Sequence, residues 1–170
     1  AARPAQRAWH PGSSLDLAYF AGQYLVWGAP TLWLLGQLRL ALHAHLGPFQ
    51  AWAQALPGWL QVVLVVLGGD LLVYWFHRAC HRFDWLWRFH ALHHAPTELD
   101  WLAAHREHPL DGLLTEGFAN LPAFLLGFDL QQLALYFGFK GFWAIVVHSN
   151  TRLPLGPLGL LLGAPELHRY

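Results

Sequence analysis

Residues 70–111 read DLLVYWFHRACHRFDWLWRFHALHHAPTELDWLAAHREHPLD, a block that holds seven of the chain's twelve histidines and ten of its twenty charged residues. His77 and His81 stand four residues apart, and His90, His93 and His94 repeat the spacing. Because positions i, i+3 and i+4 share one face of a helix, each group presents its imidazoles in one direction. Imidazole is the commonest metal ligand among side chains, so this pattern predicts a metal site.

The composition is that of a membrane protein. Of 170 residues, 55% are hydrophobic and 12% charged, whereas about a quarter of residues are charged in soluble domains. The formal net charge is zero, and the chain has no run of lysines and arginines that would follow a phosphate backbone, so we expect no nucleic-acid partner. The single cysteine, Cys80, has no internal disulfide partner, and we interpret it as a small buried side chain.

Four apolar segments are candidates for membrane-spanning helices: residues 17–38, 60–76, 113–128 and 130–148. We expect a break at Gly47-Pro48 between the first two, and a turn at Gly127 and Asp129 between the last two. Lys140 falls inside the fourth segment, where an ammonium is costly, so it should snorkel or face a protein-lined cavity. Residues 153–163 are too short to cross and predict an interfacial loop.

The predicted fold is therefore all-α: an integral membrane helical bundle with about four transmembrane helices and a cytosolic, histidine-rich helical cap. The block between the second and third segments carries four arginines, and cytoplasmic loops are enriched in such residues. We therefore expect a multi-pass protein whose metal site lies on the cytoplasmic face. The arginines are Arg78, Arg82, Arg88 and Arg106.

More than four clustered histidines imply two ions, but imidazole suits iron, zinc and copper alike, so the spacing alone does not identify the metal. Neutral ligands leave the positive charge of the ions uncompensated. Acidic residues of the same block could offset that charge by orienting ligand N–H groups. They are Asp70, Asp84, Glu98, Asp100, Glu107 and Asp111. Asp70 is the strongest candidate, because it lies seven residues before His77 on the same helix face.

The block resembles the core signature of the fatty acid hydroxylase/sterol desaturase superfamily of membrane di-iron oxygenases. That signature runs HxxxH, HxxHH, an HP element, a histidine followed by a small residue, and a final HxxHH. The order and intervals agree from Asp70 to the end of the chain, nearest to the bacterial sterol desaturase-like members, whereas the first 69 residues share only hydrophobicity. The matching positions are His77, His81, His90, His93, His94, His108-Pro109, His148-Ser149-Asn150 and His168.

The resemblance implies a set of site residues. The eight motif histidines would bind two non-haem iron ions, with O2 as co-substrate and no catalytic side chains beyond the metal ligands. His105 and Asn150, like Asp70, are expected beside the ligands rather than among them. His10, His43 and His45 match no motif and are predicted to be non-ligands.

The implied function is O2-dependent hydroxylation or desaturation of a membrane lipid, sterol, fatty acyl or related, in lipid biosynthesis. An external donor, either cytochrome b5-like or a ferredoxin with its reductase, would supply electrons. We treat residues 1–170 as a single domain. The absence of methionine and the end within the last motif lead us to expect a fragment lacking both natural ends.

The histidine pattern is also compatible with two other functions. A histidine-rich membrane protein that binds or transports metal would carry ligands within the spans themselves. A haem protein would use only one or two histidines as axial ligands.

Overall fold

The computed structural model describes residues 9–98, 100–128, 134–148, 154–157 and 159, and throughout that part the regular secondary structure is helical. A π-helical turn, Gln23–Trp27, joins the first two helices, and a 3-10 turn, Ala103–His105, precedes the fifth. The all-α prediction is thus confirmed for these residues. The helices are α1 Ser13–Gly22, α2 Gly28–Gln54, α3 Gly58–Arg82, α4 Asp84–His90, α5 Pro109–Leu125 and α6 Ala134–His148.

Within the described residues, only α3 is long and apolar enough to cross a membrane. Leu64, Leu67 and Leu71, spaced three and four residues apart on this helix, are 41, 61 and 57% exposed, and a contiguous apolar face of this kind marks a surface that meets lipid or another protein.

The other three predicted spans are helical but shorter or less apolar. Residues 17–38 fall on α1, the π turn and α2, while α5 has 17 residues and α6 has 15. Residues 130–133 of the fourth segment and most of the predicted loop 153–163 lie outside the described part. A bundle of about four spans therefore stays a prediction.

Small residues allow α3 and α5 to pack closely. A Cβ atom added to Gly69 would lie 2.7 Å from the carbonyl oxygen of Ala119, and one on Gly68 would lie 3.1 Å from the ring of Pro122. Such residues are enriched where helix backbones meet in membranes, because they let van der Waals packing replace the missing hydrophobic drive. The contact holds the middle of α3 against α5.

A buried cluster lies directly below the histidines. It consists of Phe76, Cys80 and Leu86, and Phe118 of α5 stacks on Phe76 with 5.0 Å between ring centroids. Cys80 is fully buried and free, which confirms its interpretation as a small core side chain. The cluster joins α3, α4 and α5 at the site described below.

The predicted break at Gly47-Pro48 is wrong. α2 continues through Pro48 to Gln54, and the chain turns instead at residues 55–57. A proline inside a helix costs about 3 kcal/mol, and tertiary hydrogen bonds beyond it oppose that cost. The amide of Gln50 donates to the carbonyl oxygen of Phe124 at 2.9 Å, and that of Gln54 donates to Leu126 at 2.8 Å.

These two bonds also explain how α5 ends. The last carbonyl groups of a helix lack hydrogen-bond donors within the helix. Here the side-chain amides of two glutamines of α2 donate to them. The chain then turns at Gly127, whose φ of +87° favours glycine. The turn predicted at Gly127 is confirmed, while Asp129 lies outside the described residues.

The N-terminal helix is tied to the loop before α5 by buried polar contacts. Arg106 forms an ion pair with Asp16 of α1, and the side chains are 9% and 0% exposed. Nearby, Nε2 of His10 lies 3.1 Å from a carboxylate oxygen of Asp100. These contacts hold α1 beside the start of α5.

Candidate metal centre

Four histidines from two helices and a turn converge in the structure. His77 and His81 lie in the last two turns of α3, His90 ends α4, and His94 lies in the turn that follows. Extended backbone at Phe83, with φ −112° and ψ 119°, lets α4 leave the axis of α3. One ring nitrogen of each histidine lies within 4.8 Å of those of the other three.

The spacing of these nitrogens fits ligands of one ion. The Nε2 atoms of His77 and His81 are 3.1 Å apart, and those of His90 and His94 are 3.2 Å apart. Two imidazole nitrogens bound at about 2.1 Å with bond angles of about 90–109° would stand about 3.0–3.4 Å apart. The residues present therefore fit a first-row transition metal ion.

Asp111 fixes the orientation of His90. Nδ1 of His90 donates to a carboxylate oxygen of Asp111 at 2.9 Å, and the two side chains are 6% and 4% exposed. With its proton held on Nδ1, His90 keeps the Nε2 lone pair facing the other imidazoles. Pro109 begins α5, and this places Asp111 in the first turn of that helix.

An aromatic side chain covers part of the centre. The ring of Trp87 stacks on His94 with 5.7 Å between centroids and packs against His81 at 5.2 Å. Such contacts restrict the rotation of both imidazoles, while His81 and His94 stay exposed at the surface.

The remaining predicted ligands occupy different positions. The ring of His93 lies 5.5 Å from that of His90 and 5.3 Å from that of His94, directly beside the four-histidine group. His108 caps α5, with Nδ1 accepting from the backbone N–H of Leu110 at 3.1 Å. The described part does not include the side chain of His148, nor His168 or Asn150.

Asp70 and His105 make other contacts in the structure. The carboxylate of Asp70 is 59% exposed and accepts from Nζ of Lys140 at 3.0 Å, so the lysine meets a carboxylate of the neighbouring helix. His105 bonds through Nδ1 to the side-chain oxygen of Gln23 at 2.8 Å. A supporting role of either residue at the metal site stays a prediction.

The three histidines predicted to be non-ligands lie outside the four-histidine group. His43 bonds to Gln50 at 2.6 Å, and His45 is exposed. His10 lies near Asp16 and Asp100 in a group that could hold an ion by distance alone. Because Arg106 already neutralises Asp16, we interpret that group as a salt-bridge network.

A cleft of about 360 Å³ opens between α2, the π turn and α5, and two carboxyl groups line it, those of Glu107 and Glu116. Burial raises the pKa of Glu107 to about 8, and the negative charges of Asp111 and Glu116 add to the effect. Sequence reasoning missed this cleft. No local pattern marks it, because its walls lie about 80 residues apart in the chain and meet only in the fold.

The sequence pattern of the fatty acid hydroxylase family matches residues 62–170. The chain belongs to the fatty acid hydroxylase family. The superfamily predicted from the histidine motifs is therefore confirmed.

Several relatives named for lipid-modifying activities are similar to the chain. It is 34% identical over 136 residues to ornithine lipid hydroxylase OlsE of Rhizobium tropici, covering 80% of this chain and 40% of that protein. It is 32% identical over 108 residues to alkylglycerol monooxygenase of Homo sapiens, covering 61% and 23%. A very-long-chain aldehyde decarbonylase of Oryza sativa subsp. indica is 32% identical over 124 residues, covering 68% and 46%.

The chain thus spans less than half the length of each of these relatives. No solved structure matches it.

Proposed function

We propose that this chain forms the metal-binding core of a membrane enzyme that hydroxylates or desaturates a lipid, using two non-haem irons and O2. Family membership supports an oxidoreductase acting on lipids. The observation that carries the proposal further is the convergence of four imidazoles, with Asp111 orienting one of them.

In this proposal, His77, His81, His90 and His94 hold one iron. The second iron is held by the remaining motif histidines, His93, His108, His148 and His168. The irons, when bound, supply the activation of O2 needed to oxidise an unreactive C–H bond.

The protein's own residues supply orientation and charge. Asp111 keeps the proton of His90 on Nδ1 and places a negative charge near the ions. Trp87 packs against His81 and His94 and limits the rotation of their rings. A ligand set of fixed orientation holds the irons in one geometry for the oxidation of a bound lipid.

The position of the site along α3 favours an enzyme over a metal transporter. His77 and His81 lie in the last six residues of the helix that can cross a membrane, rather than along its length. A lipid can reach such a site from the bilayer, while a redox protein reaches it from water. We propose the cytoplasmic face for it, on the basis of the arginines around the histidines.

Metal content and oxygen incorporation test this proposal together. The full chain is purified in detergent with His94→Ala beside a matched control, His45→Ala, which alters an exposed histidine outside the cluster. We expect two irons per chain in the parent and the control, and a fall toward one iron with loss of turnover in His94→Ala. Isotopically labelled O2 should appear in a hydroxylated lipid, or a desaturated lipid should form with loss of two hydrogens.

Equal iron content in the two variants would remove His94 from the ligand set. Absence of any oxidised lipid from the iron-loaded chain, given an electron donor and O2, would refute the oxygenase function.

A further inference from the structure

Two adjoining cavities lie between α2 and α5, and together they are called the groove below. The first, of about 360 Å³, is the cleft that holds Glu107 and Glu116. The second, of about 380 Å³, is lined by leucines of both helices and by Phe118. Because Leu35 and Leu113 line both cavities, the acidic end and the apolar end adjoin each other.

The acidic end contains a partly buried carboxyl group. Glu107 is of intermediate exposure, and within the described part of the chain no hydrogen-bond donor reaches its carboxylate. The carboxylate sits where α5 lacks a side chain, since a Cβ on Gly112 would lie 2.7 Å from its Oε1 atom. Burial of an unpaired charge is costly, so this arrangement is suited to a ligand that brings a positive charge.

Glu116 supplies a second carboxylate at the same end. Its Oε2 atom accepts from the amide of Asn120 at 3.1 Å, and it lines the cleft beside Leu113. No lysine, arginine or histidine is among the described residues that line the cleft. The positive charge of Lys140, on α6, attracts the carboxylate of Glu116. The ammonium group of Lys140 is, however, already paired with Asp70 at 3.0 Å.

The groove also lies next to the histidines. Asp111, which holds His90, immediately precedes Gly112 on α5, and the side chain of Glu107 packs against Gly112. A headgroup held by Glu107 would therefore lie beside the element that orients the metal ligands. Two aromatic side chains of the π turn, Tyr24 and Trp27, line the same end and can add cation–π attraction.

We infer that this groove binds one lipid whose headgroup carries a primary amine, with the ammonium between Glu107 and Glu116 and the acyl chain along the leucine-lined end. The inference rests on the proposed function, because it names the substrate class of that site. An anionic headgroup such as a phosphate finds two carboxylates here and no cation among the lining residues, so charge complementarity selects the amine.

A matched pair of lipids tests the inference. N-palmitoyl diaminopropane carries a terminal ammonium, and N-palmitoyl butylamine has the same length with a methyl group in its place. The full chain, as purified, is placed in phosphatidylcholine nanodiscs under argon, so that no turnover occurs. The shift of its thermal unfolding midpoint with increasing mole fraction of each lipid gives an apparent affinity.

We expect the ammonium lipid to bind at least about tenfold more tightly than the methyl lipid, because its headgroup would form an ion pair with the partly buried Glu107 and the exposed Glu116. Glu107→Gln and Glu116→Gln, which keep the shape of the side chain, should each reduce that ratio about tenfold while leaving the affinity for the methyl lipid unchanged. Asp84→Asn is the control, since Asp84 is an exposed carboxylate at the start of α4. The unfolding midpoint without added lipid verifies that each variant is folded.

Equal binding of the two lipids by the parent chain would overturn the inference, as would an equal loss in Asp84→Asn. Tighter binding of palmitate than of the ammonium lipid would overturn it as well. Because these measurements need no O2, a chain that prefers the ammonium lipid but oxidises nothing would refute the proposed function alone.

Discussion

Asp111→Asn should weaken metal binding without removing any ligand. Loss of a hydrogen-bond partner that orients a ligating histidine typically costs 10–100-fold in metal affinity, or about 1.4–2.7 kcal/mol. Asparagine can still present an oxygen to Nδ1 of His90 at the 2.9 Å contact but lacks the negative charge. We therefore expect about a tenfold loss for Asp111→Asn and about a hundredfold loss for Asp111→Ala, which leaves the buried N–H of His90 unpaired.

Competition with a chelator of known affinity measures the effect on the purified chain. Asp100→Asn is the matched control, because Asp100 also pairs with a histidine, His10, at 3.1 Å but in the network beside α1. It should lower the unfolding midpoint slightly and leave metal affinity unchanged. Unaltered affinity in Asp111→Asn, or an equal loss in Asp100→Asn, would refute the reasoning that Asp111 acts through His90.

Two further changes test the packing that positions the centre. Gly69→Val should destabilise the chain by about 1–3 kcal/mol through overpacking, because its Cβ would meet the carbonyl oxygen of Ala119 at 2.7 Å. The control is Gly36→Ala, which has open space around it and should not lower the unfolding midpoint. Arg106→Ala should cost about 3–5 kcal/mol because it leaves the fully buried carboxylate of Asp16 without its cation. Limited proteolysis should then cut residues of α1 first, and an unchanged digestion pattern would contradict the tether between α1 and the loop.

The histidine positions could be anticipated from sequence because they depend on local geometry. Helical spacing alone places His77 over His81, and the resulting pairs have Nε2 atoms 3.1 and 3.2 Å apart. That α3 and α4 would bring the two pairs together does not follow from spacing. It depends on the extended backbone at Phe83 and on the buried cluster around Cys80.

Contacts between distant residues do not follow from local spacing. Helical register with His77 favours Asp70 over Asp111, yet it is Asp111 that accepts the hydrogen bond from His90. One signal was available, since Pro109 predicts a helix start that puts an acidic residue in the first turn. The helical course through Pro48 had no such signal, because the glutamine contacts that support it join α2 to residues more than 70 positions away.

The π turn between α1 and α2 sets the rotational phase of a helical rod that is anchored at both ends. One end is fixed by the pairing of Asp16 with Arg106, and the other by Gln50 and Gln54. Each residue of a helix advances the rotation by about 100°, so deleting one residue from Gln23–Trp27 would twist the two ends against each other by that angle. Both sets of contacts could not then form at once. A shortened chain would lose either the ion pair to the loop before α5 or the glutamine hydrogen bonds that cap the end of α5.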